Sequence, residues 1–305
     1  MPPTHRVAAI QWEVKPLAPE ENHARACALI RDAAAQGAEL AVLPELHLLG
    51  FAPTDPLYAS QASTSPHYLK NYQALAKELS ICIVPGTFLE QHRDPSPSSD
   101  TNEDDKNKIT THYYNKAYFI DPNGSILGSY TKRNLWTHER GFLSPPPASD
   151  AADARYPVID TPVGRVGMLV CWDLAFPEAF RALVAAGAEI IVVPCFWTNN
   201  DATPALHAHN PACEPLFLSS ILTSRCFENT CGIVFANVSG SATSDSSSSS
   251  GTYIGMSRVV MPVVGPVATL DAREGVVVAD MDFGLLKLAE ENYCIREDVR
   301  GQGWI

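Results

Sequence analysis

The sequence predicts a layered α/β fold. Three observations carry this: a strand–helix–strand pattern that occurs twice, second strands that are apolar along their whole length, and enough apolar residues for one large core. Of 305 residues, 46% are hydrophobic and 18% charged, which is ordinary for a globular chain and excludes global disorder.

The first copy of the pattern opens with "HRVAAIQWEV" (5–14) and continues through the Ala-rich "ENHARACALIRDAAAQ" to Gly37 and "GAELAVLPEL". The second opens with "GRVGMLVCWD" (164–173) and continues through "PEAFRALVAA" to Gly187 and "GAEIIVVPCF". Each reads as a strand, an amphipathic helix closed by glycine, and a buried strand ended by proline, the pattern of a βαβ unit. Further strands are expected at "ICIVPGTFLE" (81–90), "CGIVFANVSG" (231–240), "SRVVMPVVGPVATL" (257–270) and "GVVVADMDF" (275–283). A hairpin turning at "DPNG" is expected over 111–132. One domain over 1–305 accounts for all of these. Two segments, "HRDPSPSSDTNEDDKNK" (92–108) and the serine tract "SGSATSDSSSSSG" (239–251), are too polar to order themselves and are expected to be flexible surface loops.

Charge and apolar run length narrow the function. Lys and Arg number 22 against 34 Asp and Glu, a net charge of −12, and the basic residues form no stripe that would neutralise a phosphate backbone. Nucleic acid and anionic membranes are therefore not expected partners. The N-terminus lacks a secretory pattern, and runs such as "IIVVPCFW" fall far short of the about 20 residues a membrane span needs. A cytoplasmic location follows as an expectation. The eight cysteines include no C-x-x-C pair and are expected to be reduced, mostly buried thiols.

Chemistry concentrates at strand ends, where ligands bind in α/β sheets. In "VGMLVCWDLAFPEAF" (166–180), Cys171 falls between a strand and a helix start marked by Pro177 and Glu178, so a helix dipole is expected to favour its thiolate. Glu45 arrives directly after the apolar run "LAVLP", where a carboxylate needs a partner or a function. Lys132 ends the hairpin strand in "GSYTKRNLWTHERGFLSP", with Glu139 and Arg140 following. A cation near the thiol would lower its pKa and stabilise an oxyanion.

The motifs "LPEL", "YTKRNLWTHER", "VCWDLAFPEAFRALVAAGAEIIVVP" and "SRCFENTCGIVFANVSG", in this order and spacing, resemble the nitrilase superfamily of carbon–nitrogen hydrolases. The resemblance spans residues 5–285. It implies a pseudo-symmetric α-β-β-α sandwich with Glu45 as general base, Lys132 as oxyanion-stabilising cation and Cys171 as nucleophile. It further implies that Glu139 supports Lys132 and that the Trp172 N–H assists at the oxyanion. No cofactor or metal is expected, and a homodimer or larger homo-oligomer is implied. Phe196 and Trp197, after the second repeat strand, are expected to line the acyl pocket. "HAHNPAC" (207–213) matches no zinc spacing and is expected to be a loop over the site mouth.

Two positions depart from the family pattern. Ala175 stands where relatives acting on carboxylate-ended substrates carry arginine, which favours a small neutral or aromatic amide. Asp173 stands where nitrilases tend to carry glutamate, which favours amide over nitrile hydrolysis. A nitrilase, an acyl transferase and a catalytically idle ligand-binding member remain the alternatives.

Overall fold

The structure is a computed structural model that describes residues 2–95, 109–147, 155–240 and 253–301. The first repeat is β1 (Thr4–Gln11), α1 (Pro19–Ala35) and β2 (Leu40–Val42), with β1 and β2 parallel. Then come α2 (Pro56–Gln61), α3 (Ser65–Leu79), β3 (Cys82–Val84), β4 (Thr87–Pro95) and the hairpin β5 (Ile109–Ile120) and β6 (Ile126–Thr131). The second half begins with β7 (Val158–Thr161) and β8 (Gly164–Met168), a 3₁₀ turn over Cys171–Ala175, α4 (Pro177–Ala185) and β9 (Ile190–Pro194). A second 3₁₀ turn (Asn199–Asp201), α5 (Pro204–His209), α6 (Cys213–Asn229) and β10 (Gly232–Ala236) follow. The chain continues through β11 (Arg258–Met261), β12 (Gly265–Thr269), β13 (Gly275–Asp282), α7 (Phe283–Tyr293) and α8 (Ile295–Gly301).

These strands form two sheets. One runs β13-β1-β2-β3-β5-β4 with β6 beside β5, and the other runs β12-β11-β10-β9-β8-β7. Strand alternation explains how they stack. Val7, Ala9, Leu40, Val42, Cys82 and Val84 point into the layer shared with the second sheet, where Val166, Met168, Ile190 and Val192 belong to the same cluster. Their neighbours Ala8, Ile10, Ala41, Leu43 and Ile83 point outward against α1 and α3 through Leu29, Ile30, Tyr72 and Leu75. On the far side, α4 and α6 cover the second sheet with Phe180, Leu183, Leu218 and Leu222. The result is a helix–sheet–sheet–helix sandwich.

The repeat extends to individual bonds. In the first half the Arg6 N–H donates to Glu39 Oε1 (3.1 Å) and the Glu39 N–H to the Arg6 carbonyl (2.7 Å). In the second half the Arg165 N–H donates to Glu189 Oε2 (3.0 Å) and the Glu189 N–H to the Arg165 carbonyl (2.8 Å). An Arg at the strand start and a Glu after the helix-closing glycine thus lock each βαβ unit in one register.

Several expectations change. The segment 81–90 is two strands, because Pro85 lacks a ladder donor and Gly86 turns the chain at φ +60°. The segment 257–270 is a hairpin broken around Val263 and Gly265, both at positive φ. Residues 92–95 extend β4 by pairing with β5 rather than joining a loop, whereas 96–108 lie outside the described residues. Of the serine tract, 241–251 lie outside the described residues; Ser239 is buried, its N–H bonded to the Trp12 carbonyl. "HAHNPAC" is the end of α5, a turn and the first residue of α6, because Thr203 caps the short helix. All eight cysteines are free thiols, five of them buried. Among the described residues no helix is long and apolar enough to cross a membrane.

Gly86 lets the β3–β4 turn pass against the backbone that precedes Glu45: a Cβ there would lie 1.8 Å from the Pro44 carbonyl oxygen. Gly86→Ala is expected to cost about 3 kcal/mol or more in chemical denaturation. Gly265→Ala, at φ +83° with nothing within 4 Å of the new Cβ, provides the control. It carries only backbone strain of about 1–2 kcal/mol. Equal losses in the two variants would refute the steric account.

Candidate active site

The carboxyl ends of β2, β6, β8 and β9 open on one side of the sandwich, and each delivers a functional side chain. Glu45 lies three residues past β2, Lys132 directly past β6, and Cys171 three residues past β8. Phe196 and Trp197 follow β9. Together with Leu46, Phe51, Trp136, Glu139, Trp172, Thr198 and Asp201 they surround a cavity of about 160 Å³. The four motifs that are separate in sequence therefore meet at one place.

At its base three charged groups are almost removed from solvent: Glu45 and Lys132 are each 1% exposed and Glu139 5%. Lys132 Nζ donates to Glu45 Oε1 at 2.8 Å and to Glu139 Oε1 at 2.6 Å. The remaining carboxylate capacity is also engaged. Asn115 Nδ2 donates to Glu45 Oε1 (2.6 Å), the Phe196 N–H to Glu45 Oε2 (3.0 Å) and the Trp136 N–H to Glu139 Oε2 (2.7 Å). Burial by itself would push the ammonium down, but Glu45, Cys171 and Glu139 together hold it well above the ordinary lysine value. Glu139 moves up, because burial and the nearby Glu45 charge outweigh the pull of Lys132. Buried charges are tolerated only when paired and hydrogen-bonded in this way.

Cys171 occupies the left-handed region at φ +46°, a costly conformation for a residue with a side chain. Asp173, fully buried, holds the turn in place. Its Oδ2 accepts from the Val170 N–H and the Tyr130 hydroxyl, both at 2.9 Å. Its Oδ1 accepts from Asn134 N (3.0 Å) and Nδ2 (2.8 Å). Asp173 does not line the cavity but anchors the turn that carries Cys171, and Ala175 is not in the wall either.

The thiol differs from expectation. Burial pushes it well above the usual cysteine value, the adjacent Cys195 thiol and the Glu45 carboxylate push the same way, and Lys132 opposes them. Helix α4 starts only at Pro177, beyond the 3₁₀ turn, so its dipole is too distant to dominate. The resting group is a neutral thiol. Beside it stands a carboxylate that can accept its proton, and an ammonium that can stabilise negative charge on an oxygen.

Sequence reasoning missed Asn115, Asn134, Tyr130, Asn237, Cys195 and Asp201. Asn237 clamps the Trp197 backbone, accepting from its N–H (2.8 Å) and donating to its carbonyl (3.0 Å). Cys195 occupies the place in the second repeat that Glu45 occupies in the first, a signal present in the echo itself. The two positions touch: the Glu45 N–H donates to the Cys195 carbonyl at 3.2 Å.

The carbon–nitrogen hydrolase family model matches residues 6–291. The deaminated glutathione amidase of Bos taurus is 29% identical over 273 residues, covering 88% of this chain and 74% of that protein. Among solved structures, a carbon–nitrogen hydrolase from Helicobacter pylori G27 superposes with a TM-score of 0.77 at 18% identity, covering 99% and 97% of the two chains. An amidase from Nesterenkonia sp. gives 0.68 at 23% identity, covering 93% and 92%.

Two outcomes are expected from this geometry. Glu139→Gln leaves a half-compensated buried ammonium and is expected to lower folding stability by about 3 kcal/mol, read from denaturant midpoints. Alkylation of Cys171 by iodoacetamide, followed on its peptide by mass spectrometry, is expected to accelerate about 10-fold per pH unit up to at least pH 9. A rate that levels off below pH 7 would instead mean a preformed thiolate.

Proposed function

Because the chain belongs to the carbon–nitrogen hydrolase family, we propose that it hydrolyses a small amide to the acid and ammonia at Cys171, with Glu45 as general base and Lys132 at the oxyanion. The observation that carries this reading is the convergence of Glu45, Lys132 and the buried Cys171 thiol on one cavity. A carboxylate suffices as base here because a thiol is far easier to ionise than a serine hydroxyl.

In the first step Cys171 Sγ attacks the amide carbonyl carbon while its proton moves to Glu45. The carbonyl π electrons move to oxygen, where the Lys132 ammonium and the Trp172 N–H hold the oxyanion. Each good donor of this kind is worth about 3 kcal/mol. The intermediate collapses as the C–N bond breaks, and the proton on Glu45 passes to the nitrogen, so ammonia leaves and a thioester remains. Water then attacks the thioester with Glu45 taking its proton. The C–S bond breaks, the proton returns to sulfur, and the acid departs. Glu139 keeps Lys132 positioned and does not touch substrate in this scheme.

Support for an amide lacking a carboxylate tail comes from the wall of the cavity. Its one amine, Lys132, is already bonded to two carboxylates, leaving no free cation among the described lining residues to bind an anionic substrate.

Ammonia release from aliphatic amides, aromatic amides, ω-amides of dicarboxylic acids, N-carbamoyl compounds and the matching nitriles decides the reading. Wild-type protein is expected to release ammonia from amides, and Cys171→Ala and Glu45→Gln to lose about 10³-fold or more of that rate. Full activity in Cys171→Ala would sink the mechanism. Silence across the panel, with Cys171 inert to alkylation, would favour an idle binding protein.

A further inference from the structure

The wall of the cavity carries more negative charge than the proposed reaction needs. Asp201, in the 3₁₀ turn after β9, lines the cavity and is half-buried. Among the described residues its carboxylate accepts from Thr198, Oδ2 from the backbone N–H at 2.9 Å and Oδ1 from the hydroxyl at 3.2 Å, which closes a capping box around the turn. It has no basic ion-pair partner among the described residues. Behind the same wall, buried Glu214 on α6 accepts from the indole N–H of Trp197, another neutral donor. Glu45 and Glu139 share one ammonium, whereas Asp201 and Glu214 have none among the described residues.

We propose that Asp201 is a specificity residue whose missing partner is the substrate: the amide or carbamoyl compound hydrolysed at Cys171 carries a protonated amine that pairs with Asp201. This rests on the amidase reading and replaces the neutral amide expected from Ala175 with a cationic one.

Two further features fit the same ligand. Burial, with Glu214 and Glu45 nearby, raises Asp201 to about 6, the behaviour of a carboxylate kept in a poor solvent without a counter-ion. The wall around it is aromatic, with Trp172 and Trp197 at 5.5 Å between ring centroids, and aromatic faces attract cations.

The test compares δ-aminovaleramide, hexanamide and glutaric monoamide, which are of similar length and end in an ammonium, a methyl and a carboxylate. Wild-type kcat/KM is expected to favour the ammonium compound over hexanamide by about 10- to 100-fold, the range of one hydrogen bond to a charged group. Glutaric monoamide is expected to be the poorest substrate. In Asp201→Asn the ammonium-to-methyl ratio, measured within the variant and so independent of its folded fraction, is expected to fall to about 1. Competitive inhibition of wild-type hexanamide hydrolysis by butylamine but not by butanol provides a reading that needs no variant. Turnover of hexanamide with no ammonium preference would overturn the substrate class and leave the amidase reading intact. A preference that survives Asp201→Asn would overturn the role of Asp201. Turnover of none of the three would overturn the cationic substrate class, and the amidase reading as well if the wider amide panel is also silent.

Discussion

The structure depends on one buried ammonium. Lys132 carries its charge into a nearly solvent-free site, where an isolated cation would lose its proton, and it keeps that proton because Glu45 and Glu139 lie on either side at hydrogen-bond distance. The requirement propagates outward. Glu45 must be braced by Asn115 and the Phe196 N–H, Glu139 by the Trp136 N–H, and Lys132 itself by its N–H bond to the Asn115 carbonyl (2.9 Å). Strands from both sheets are thereby tied to one point. A change in any of these partners leaves charge uncompensated, so the site is rigid for electrostatic reasons.

The repeat supplies two equivalent strand ends, and the protein uses them differently. In the first half the residue after the proline is Glu45; in the second it is Cys195, whose carbonyl receives the Glu45 N–H. The neighbouring strand of the second half ends in the left-handed Cys171, a conformation that costs about 1–3 kcal/mol in general. Four hydrogen bonds to Asp173 maintain it. Stability is spent to aim one thiol.

A neutral thiol beside a carboxylate is a different solution from a preformed thiolate–imidazolium pair. In the proposed reaction Glu45 takes the proton only as sulfur attacks, so negative charge need not be stored in a dry cavity before substrate arrives. The cavity already holds a surplus of carboxylates over amines, and a resting thiolate would add to it. The same surplus, at Asp201, is what favours a cationic ligand in the proposed specificity.

Much of this was legible in the sequence because it depends on local pattern. Apolar runs of β length and helix-closing glycines at 37 and 187 specify two βαβ units, since period and turn chemistry act over a few residues. The placement of Glu45, Lys132 and Cys171 at strand ends followed from the same reading. What the sequence did not reveal depends on residues distant in the chain coming together. That Asn115 would brace Glu45, that Asp173 would anchor a turn rather than face substrate, and that Asp201 would have no counter-ion among the described residues are properties of contacts between elements. The proton affinity of Cys171 belongs to this class as well: the nearby helix start suggested a thiolate, but burial beside Cys195 and Glu45 outweighs a dipole that begins six residues away. Local pattern determined which residues stand at the mouth of the sheets; desolvation and charge pairing, which exist only once the sheets are packed, decided the state of each.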